Sequence, residues 1–498
     1  MIEHRDVIIV GAGLSGIGAA CHFRRKFPAR SLAILEGRAA IGGTWDLFRY
    51  PGVRSDSDMF TLGYSFRPWE GAEAIADGPS ILRYIEDTAR EFAIAGDIRL
   101  NHRVTTAAWD SETALWTVTA RRTDVGEDVI LTARFLWVCT GYYRYDEGFT
   151  PQFPGAEDFE GRIVHPQHWP EDLDHAGKRV VVIGSGATAV TLVPSMATTA
   201  GHVTMLQRSP SYIAAAPRRD RLADLLHRAL PKSLAHNAIR WRNVVLDLAM
   251  FQLSRRRPSL VKALMRRETA KRLPAGYDVA KHFTPNYNPW DQRVCLAPDG
   301  DLFAAIRDGK ASVVTDVVDT FTPDGIRLKS GDEIAADIVV TATGLNMLAL
   351  GEMEVSVDGS SIDIGSTVSY KGMMLSGVPN LFLTLGYTNA SWTLKADLIS
   401  RYACRLIDHM DSNHHSSVTP LPPADGELAP LMDLTSGYVR RGIDQFPKQG
   451  IVASWRQHQN YLRDLRLFTR GPLDDHVLFA SVAIGQRPSV GRSSKTLR

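Results

Sequence analysis

Two segments with the same strand–glycine–helix pattern constrain the fold of this chain most strongly. The first has the apolar run Asp6-Val-Ile-Ile-Val10, the glycine turn Gly11-Ala-Gly13-Leu-Ser-Gly16 and a helical pattern through Arg25. The second has Arg179-Val-Val-Val-Ile183 followed by Gly184-Ser-Gly186-Ala-Thr-Ala189. A buried strand that turns on glycines into a helix is typical of a βαβ unit, and the distance between the segments leaves room for a sheet around each. The sequence therefore predicts an α/β chain with two doubly wound domains.

Length, composition and charge exclude several other classes of protein. A chain of 498 residues has room for about three domains of ~150 residues, and 44% apolar with 22% charged residues is ordinary globular composition. The formal net charge of +2 creates no strong field, so we predict no nucleic-acid partner. The sequence contains no run of 18 apolar residues, so we predict no membrane-spanning helix. The four cysteines are isolated in the sequence: Cys21, Cys139, Cys295 and Cys404. Their spacing excludes a disulfide scaffold, a zinc ribbon and a vicinal redox dithiol, and it fits a reducing cytosol. We predict no metal site.

The first glycine turn has the features of a dinucleotide site. Gly11 permits the tight turn, Gly13 lets a pyrophosphate approach the backbone, and Gly16 allows close packing of helix on strand. Glu36 ends the next predicted strand, Ser31 to Glu36, and its carboxylate suits a ribose diol. The amino terminus of the helix would hold the phosphates with its free N–H groups. The predicted site comprises Gly11, Gly13, Ser15, Gly16 and Glu36.

Two segments after this turn indicate which dinucleotide binds there. Gly42-Gly43-Thr44-Trp45-Asp46-Leu47 places bare backbone and a flat ring beyond Glu36, and Arg49-Tyr-Pro-Gly52-Val-Arg54-Ser55-Asp56 follows. The residues alone leave open that Arg54 and Asp56 form a surface ion pair. Together, however, the segments resemble the FAD site of class B flavin monooxygenases. That resemblance implies FAD contacts for Thr44, Trp45, Asp46, Leu47, Arg54, Ser55, Asp56 and, through its backbone on a predicted strand Ile98 to Thr105, Val104.

The second glycine turn predicts a different nucleotide. The strand after it, predicted at Val203 to Leu206, ends in Gln207-Arg208-Ser209, where the first unit has a carboxylate. A guanidinium and a hydroxyl match a 2′-phosphate, which an acid would repel, so we predict NADPH; the alternative is an exposed arginine in a loop. The predicted site comprises Gly184, Ser185, Gly186, Ala187, Thr188, Ala189, Val190, Arg208 and Ser209.

A motif between the two units narrows the family. Phe159-x-Gly161-x-x-x-His165-x-x-x-Trp169-Pro170 is, from its physical chemistry alone, a packed linker with a histidine. It matches the whole signature of Baeyer–Villiger monooxygenases, whereas the nitrogen- and sulfur-oxygenating flavin monooxygenases carry another aromatic at the Trp position and lack the Pro. The resemblance extends along nearly the whole chain, including Tyr287 to Leu296 and Lys371 to Asp397. It implies that His165 couples the two nucleotide domains.

The resemblance also implies a reaction. NADPH would reduce FAD, O2 would form a C4a-peroxyflavin, and one oxygen would be inserted next to a ketone carbonyl to give an ester or lactone; thioethers or thioamides would be oxidised at sulfur. Arg293 aligns with the family's active-site arginine and would stabilise the anionic oxygens, with Asp56 orienting it. Many relatives have Lys before that arginine, and Gln292 at this place puts NADPH handling in doubt.

Three alternatives share parts of this pattern. The first is a flavin monooxygenase that acts mainly on sulfur or nitrogen. The second, a disulfide reductase with two nucleotides, would need a cysteine pair beside the flavin that this chain lacks. The third is a non-catalytic redox sensor on the same scaffold, which NADPH consumption coupled to product would exclude.

The segment Arg218 to Lys281 is basic and helix-patterned, with 16 Lys or Arg against five Asp or Glu. It is either a helical subdomain with a solvated face or a patch for a membrane surface or an acidic partner. We predict a cytoplasmic protein, and peripheral membrane association through this segment is an open alternative.

The predicted domains are 1–144 (FAD), 145–215 (linker and NADPH), 216–292 (basic helical insertion), 293–345 (NADPH, second part), 346–484 (return to FAD) and 485–498 (disordered tail).

Overall fold

The first glycine-rich unit forms the centre of a nine-stranded sheet. In the computed structural model, which describes residues 2–422 and 426–482, strand Glu3–Val10 pairs in parallel with Leu32–Leu35 and with Asp128–Val138. Strand Leu381–Leu383 also pairs with Asp128–Val138. The remaining order across the sheet is Ser360–Ser361, Glu354–Val357, His102–Asp110, Leu115–Arg122, Asp128–Val138, Glu3–Val10, Leu32–Leu35, Ile98–Arg99. The predicted tail from Gly485 lies outside the described residues.

Both faces of this sheet are buried, which explains why its central strand is a continuous apolar run. Val7 and Ile9 pack on helices Leu14–Lys26 and Trp392–Ser412, whereas Ile8 and Val10 belong to a separate core with the strands after residue 102. Successive side chains of a strand alternate between faces, so a strand covered on both sides needs apolar residues at every position. The first glycine turn, at the end of this central strand, therefore lies in the middle of the domain.

One predicted strand was wrong. The apolar pattern from Ile98 to Thr105 is divided between strands Ile98–Arg99 and His102–Asp110, which have different partners. Asn101 between them has a φ of +59°, a left-handed conformation that asparagine tolerates better than most residues. Hydrophobic periodicity carries no sign of such a turn. Val104 lies on the second strand and lines the cavity described below.

The second glycine-rich unit forms a fully parallel five-stranded sheet. Its strand order is Ala311–Thr315, His202–Gln207, Arg179–Ile183, Ile338–Thr341, Arg162–Val164. Helix Ala187–Met196 follows the glycine turn and packs on strand Cys295–Pro298 and helix Asp301–Arg307. The prediction of two doubly wound sheets is confirmed.

The chain crosses between the sheets twice, at neighbouring places. Segment Tyr143–Gly148 leaves the first sheet and Leu345–Met347 returns from the second, and the two pair as antiparallel strands. They follow the Thr-Gly dipeptides at 140–141 and 343–344. The connection between the units is therefore one narrow two-stranded ribbon.

The basic segment is helical and rests on the first unit. Its helices are Arg221–Ala229, Lys232–Arg256, Pro258–Ala270 and Val279–Phe283, between the paired strands Ile213–Ala216 and Cys295–Pro298. The buried Arg240 donates from Nη1 to the carbonyl oxygens of Phe60 and Gly63, at 2.9 and 2.8 Å. A cation at the carboxyl end of short helix Met59–Leu62 satisfies carbonyls that lack helical partners. The insertion is thus anchored on the first unit at helix Met59–Leu62.

The end of the chain completes the first unit. Helix Trp392–Ser412 packs on Leu14–Lys26 and on Tyr461–Arg470, where buried Lys395 and Asp464 form an ion pair of 2.7 Å. Within the described residues, no helix is both long and apolar enough to span a membrane. The other helices are Thr44–Leu47, Met59–Leu62, Gly78–Glu91 and Gly437–Gly442, with 3₁₀ turns Ala95–Asp97, Ala156–Asp158, Pro166–His168, Ala349–Glu352, Ile364–Ser366, Ile443–Gln445 and Ala453–Trp455. The small strands are Val318–Thr322, Gly325–Leu328, Glu333–Ala335, Ser369–Tyr370, Met374–Leu375, Ser417–Pro420, Ala429–Pro430, Lys448–Gln449 and Val477–Ala480.

Candidate functional site

A cavity of about 580 Å³ lies where four parts of the chain meet. They are the first glycine turn, the loop after it, the ribbon and the start of helix Ala187–Met196. Most of the residues that the resemblance assigned to FAD line this cavity, and the amino terminus of the second unit's helix reaches it. The predicted residues on its wall are Gly11, Gly13, Ser15, Glu36, Thr44, Trp45, Arg54, Asp56, Val104, Ala187, Thr188 and Arg293. The predicted residues off its wall are Gly16, Asp46, Leu47, Ser55, Gly184, Ser185, Gly186, Ala189, Val190, Arg208 and Ser209.

The first glycine turn has the geometry that a pyrophosphate needs. Gly11 has a φ of +100°, and a Cβ on Gly16 would lie 1.8 Å from the Gly11 carbonyl oxygen, so both positions require glycine. Gly13 packs against the backbone of Gly43, with 3.6 Å between its would-be Cβ and the Gly43 Cα, and both residues line the cavity. No side chain caps helix Leu14–Lys26, so its first N–H groups stay available to an anion.

Glu36 is held at the other end of the turn. Its carboxylate accepts hydrogen bonds from the backbone N–H groups of Ala12, at 2.7 Å, and Arg38, at 3.0 Å. Burial raises the pKa of this carboxyl group. Both bonds fix its orientation at the cavity wall, which is the arrangement that a ribose diol would meet.

Several residues around Glu36 were not predicted. Arg38 forms an ion pair of 2.6 Å with Asp46 and donates to the Gly43 carbonyl oxygen at 3.1 Å, and the Tyr145 hydroxyl lies 3.1 Å from the Thr44 hydroxyl. Asp46 is therefore buried in an ion pair behind the wall. The only feature of the sequence that could have indicated these residues was the position of Arg38, two residues after Glu36. The unpredicted wall residues at this end are Arg38, His102, Arg103, Thr123 and Tyr145.

Arg54 and Asp56 do not pair with each other, so the surface ion pair left open by the sequence is wrong. The buried Arg54 guanidinium pairs with Asp301 of the second unit. Asp56 pairs with Arg293. Ser55 between them is buried, and its hydroxyl has no hydrogen-bond partner among the described residues. This short segment therefore ties both the second unit and Arg293 to the first unit.

Arg293 lies on the segment that leaves the helical insertion, just before strand Cys295–Pro298. Asp56 holds the pKa of Arg293 well above its ordinary value, so the guanidinium stays charged. Tyr142, Tyr438 and Tyr143 also raise its pKa, to a smaller extent. A permanent cation fixed by one carboxylate is suited to stabilising negative charge.

The second glycine turn resembles the first in its geometry. Gly184 has a φ of +143°, and a Cβ there would lie 2.3 Å from the Ala342 carbonyl oxygen, whereas a Cβ on Gly186 would have open space. Helix Ala187–Met196 has no side-chain cap. Arg208 and Ser209 are exposed at the end of the adjacent strand, and Ser185 donates from its hydroxyl to the Ser209 carbonyl oxygen at 3.0 Å. This arrangement suits a phosphorylated ribose at the turn.

His165 bridges the two crossings of the ribbon. Its Nε2 lies 3.1 Å from the carbonyl oxygen of Gly344, and its Nδ1 accepts from the Gln167 backbone N–H. The Gln167 amide in turn donates to the carbonyl oxygens of Arg144 and Tyr145. Burial lowers the pKa of His165 and favours the neutral ring that these bonds require. The contacts link both crossings, as expected of a residue that couples the two units.

The described residues contain no group of three or more His, Cys, Asp or Glu side chains that could hold a metal ion. All four cysteines are buried and unpaired. Burial raises the pKa of Cys139, which lines the cavity, to about 12. This thiol stays protonated at neutral pH and is a poor nucleophile.

Two dinucleotide-binding units that open onto one cavity, with an arginine between them, define a two-nucleotide flavoprotein oxidoreductase. Residues 74–277 match the family model for flavin-binding monooxygenase-like proteins, and residues 9–70 match that for NAD(P)-binding Rossmann-like domains. The chain is 54% identical over 480 residues to the FAD-containing monooxygenase EthA of Mycobacterium tuberculosis, covering 96% of this chain and 98% of that one. It is 51% identical to the putative FAD-containing monooxygenase MymA of the same species, covering 97% and 99%. The chain belongs to this family of FAD-containing monooxygenases.

A solved structure shares the fold. An oxidised steroid monooxygenase bound to NADP superposes with a TM-score of 0.73 at 23% identity, covering 96% of this chain and 100% of that chain. The predicted membership in the flavin monooxygenases and the predicted cofactors, FAD and NADPH, are confirmed. The chain is therefore an NADPH-dependent monooxygenase that takes a small-molecule substrate and O2.

Proposed function

We propose that this enzyme inserts one oxygen atom next to the carbonyl of a ketone, giving an ester or lactone, and that it also oxidises sulfur in thioethers or thioamides. One atom of O2 enters the product, the second leaves as water, and NADPH is oxidised to NADP⁺. The ion pair between Arg293 and Asp56, on the cavity wall and at the junction of the two units, is the observation that carries this proposal.

The cavity fits FAD through the residues already described. We assign the pyrophosphate to the Gly11–Gly16 turn and the uncapped helix start, the ribose to Glu36, and the flavin end to the part of the wall with Thr44, Trp45 and Asp56. Bound FAD supplies the redox chemistry by taking hydride from NADPH and activating O2. We assign the NADPH 2′-phosphate to Arg208 and Ser209. The domain limits predicted from the sequence remain part of this proposal.

Arg293 has the central role in this assignment. Its guanidinium stabilises negative charge that develops on the reacting oxygen and on the carbonyl oxygen under attack. Asp56 orients the guanidinium through their ion pair and compensates its charge. Gln292 precedes it where many relatives have a lysine, so Arg293 is the one basic residue from Asn288 to Cys295.

Reduction under anaerobic conditions tests the proposal directly. NADPH should bleach the bound flavin, and addition of O2 with a panel of ketones and thioethers should give esters and sulfoxides. Sulfoxides without any ester would favour the enzyme that acts mainly on sulfur or nitrogen. Hydrogen peroxide as the sole product across the panel would contradict the proposal.

We also propose that the helical insertion binds anionic membrane surfaces. Eleven of its large apolar side chains are exposed, which exceeds the scattered singles of an ordinary surface: Leu222, Leu225, Leu230, Leu234, Trp241, Val245, Leu246, Met250, Leu253, Leu260 and Leu264. The surplus of Lys and Arg in the same segment supplies the charge that attracts anionic headgroups.

A further inference from the structure

A loop of the first unit, residues 48–56, packs into the second unit. We refer to it as the connecting loop. Its side chains Tyr50 and Val53 are buried in the hydrophobic core of the second unit. Gly52 between them has a φ of +75°, and a Cβ there would lie 1.9 Å from the hydroxyl oxygen of Ser195, on the helix after the second glycine turn. A side chain at position 52 would therefore push the two units apart.

The connecting loop is also held firmly by the first unit. The Ser55 N–H donates to the Ala76 carbonyl oxygen at 3.0 Å, and the Gly78 N–H donates to the Val53 carbonyl oxygen at 2.8 Å. These backbone bonds fix the loop from both sides of Arg54. Arg54 therefore projects toward the second unit from a rigid part of the first.

Two ion pairs of opposite polarity join the connecting loop to one segment of the second unit. Arg54 supplies the cation that pairs with Asp301. Asp56 supplies the carboxylate that pairs with Arg293. Arg293 and Asp301 flank strand Cys295–Pro298, which packs on the helix after the second glycine turn. An exchange of partners would bring like charges together, so the two pairs fix the register of the units as well as their contact.

The pair of Arg54 with Asp301 is a buried one. The Arg54 side chain is 8% exposed, and its Nη2 lies 3.4 Å from the Asp301 Oδ1. Asp301 begins helix Asp301–Arg307, and its Oδ1 also accepts from the Leu302 N–H at 2.8 Å. Arg54 lies on the cavity wall and Asp301 does not. Removing one partner of such a pair leaves a poorly hydrated charge, which strongly disfavours the present arrangement of the units.

We propose that Arg54 is a positioning residue for the transfer of hydride from NADPH to FAD. Its pair with Asp301 sets how the second unit, with NADPH at its glycine turn, lies against the first. The step that depends on this placement breaks a C–H bond of the reduced nicotinamide, passes its hydride with both electrons to the flavin and leaves NADP⁺.

This role differs from the one that the family resemblance implied, a contact between Arg54 and FAD. Arg54 acts through Asp301, a residue off the cavity wall. The inference rests on the assignment of NADPH to the second glycine turn. It does not depend on which substrate is oxygenated, because reduction of the flavin comes first.

Reduction without O2 tests the proposal. Asp301→Asn keeps the shape of the side chain and removes its charge without changing the cavity wall. At saturating NADPH, the rate constant for flavin bleaching should fall about 10- to 100-fold in Asp301→Asn and in Arg54→Gln, since a displacement of ~1 Å costs up to ~10²-fold in rate. The double variant should be no slower than either single variant, because all three lack the same interaction. Asp308→Asn, which removes an exposed carboxylate just after the same helix, is the matched control and should be reduced like the wild type.

A distance measurement reads the placement of the units without turnover. All four native cysteines are buried, so spin labels can be attached selectively to Glu86→Cys in the first unit and Lys310→Cys in the second, both at exposed positions. In the oxidised enzyme with FAD and NADP⁺, the distribution of label distances should be narrow, and Asp301→Asn should broaden or shift it. Arg54→Lys keeps the charge without the planar fork and should restore part of the narrow distribution and part of the reduction rate.

Wild-type reduction rates in Asp301→Asn and Arg54→Gln, in preparations with full flavin content, would overturn the assignment. A loss confined to Arg54→Gln would overturn it as well and would make Arg54 a direct contact of a cofactor. If Arg54→Gln does not fold, Asp301→Asn decides: an unchanged rate, or a slow rate with an unchanged distance distribution, would overturn the assignment.

Failures of the underlying proposals would be seen elsewhere. An enzyme that forms no ester fails in product analysis, although its reduction rates still test Arg54. An error in the NADPH assignment would appear as an unchanged coenzyme preference in Arg208→Ala.

Discussion

Arg293 and Asp56 are far apart in the chain and meet only in the folded protein. Asp56 belongs to the loop after the first glycine turn, and Arg293 follows the whole helical insertion. Asp56 engages one side of Arg293, and on the proposed function the remaining N–H groups of the guanidinium serve a reacting oxygen. A donor placed in advance loses no reorganisation energy during the reaction.

The first prediction concerns Arg293. Arg293→Ala should still accept hydride from NADPH, but its ester formation should fall by ~10²- to 10³-fold because the developing charge loses its donor. Re-aeration should then give hydrogen peroxide instead of ester, which a peroxide assay beside product analysis detects. Arg293→Lys keeps the charge without the planar fork and should restore little. Near wild-type ester formation in Arg293→Ala would move the role to another residue beside the flavin.

The second prediction concerns Arg208. Loss of one or two charged hydrogen bonds of ~1.5–3 kcal/mol each should weaken NADPH binding in Arg208→Ala by at least ~10-fold and spare NADH. The ratio of kcat/KM for the two coenzymes measures this effect. Arg219→Ala, which removes an exposed arginine of the insertion, is the control. A variant that retains the full preference for NADPH would show that Arg208 does not contact the 2′-phosphate.

Residues in short motifs were predictable, and residues brought in by tertiary contacts were not. Gly11, Gly16 and Glu36 follow from spacing because one local turn and one helix start create their geometry. Arg38 and Tyr145 were not predicted as site residues, because their contacts join different segments of the first unit. Tyr142 and Trp392, whose rings pack together on the cavity wall, were missed for the same reason, since Trp392 belongs to a helix far along the chain.

At the scale of the element, helix Lys232–Arg256 combines an anchored side with an exposed side. Arg240 and the neighbouring His236 are buried against the first unit, whereas Trp241, Leu246 and Met250 are exposed. A helix whose outward side is apolar gains nothing from water, so the exposed side calls for another contact.

The third prediction concerns His236. Burial, with Arg240 and His227 nearby, lowers the pKa of His236 to about 4. An unfolded histidine titrates near ~6.5, so the unfolded chain binds more protons between these values. Stability is fully present above pH 6.5 and should fall by at most ~3 kcal/mol as the pH approaches 4.

The free energy of unfolding, measured by denaturant titration at steps across this range, checks the sign. His236→Leu has no proton to bind and should show a flatter pH dependence. His4→Leu, which removes an exposed imidazole, should keep the wild-type slope. An identical slope in all three proteins would contradict the assignment to His236.

At the scale of the whole molecule, the glycine turns made the two sheets predictable. Each turn marks the first strand and helix of a doubly wound unit, so their number and order can be read from the sequence. The return of the chain to the first unit, predicted at 346–484, followed from the family resemblance and not from a local pattern, because strand Leu381–Leu383 is short and depends on its partner Asp128–Val138 for its hydrogen bonds. Non-local pairing of this kind leaves no local signal.

The fourth prediction concerns the insertion as a surface of the whole enzyme. The protein should sediment with vesicles that contain anionic lipid and be released by high salt, because exposed charges are screened within ~10 Å at 0.1 M ionic strength. Replacing Leu246, Met250 and Leu253 together by serine should abolish the fraction that salt does not release. Equal recovery in the supernatant with neutral and anionic vesicles would support the solvated-face interpretation.

The narrow ribbon of Tyr143–Gly148 and Leu345–Met347 has a consequence for the order in which the enzyme matures on the ribosome. The amino-terminal half of the first unit is synthesised first, yet its sheet and its principal helix contacts are completed by Leu381–Leu383 and Trp392–Ser412. Everything between the two crossings emerges before those partners do. We therefore expect the flavin to be loaded late, only after the nicotinamide half has been made.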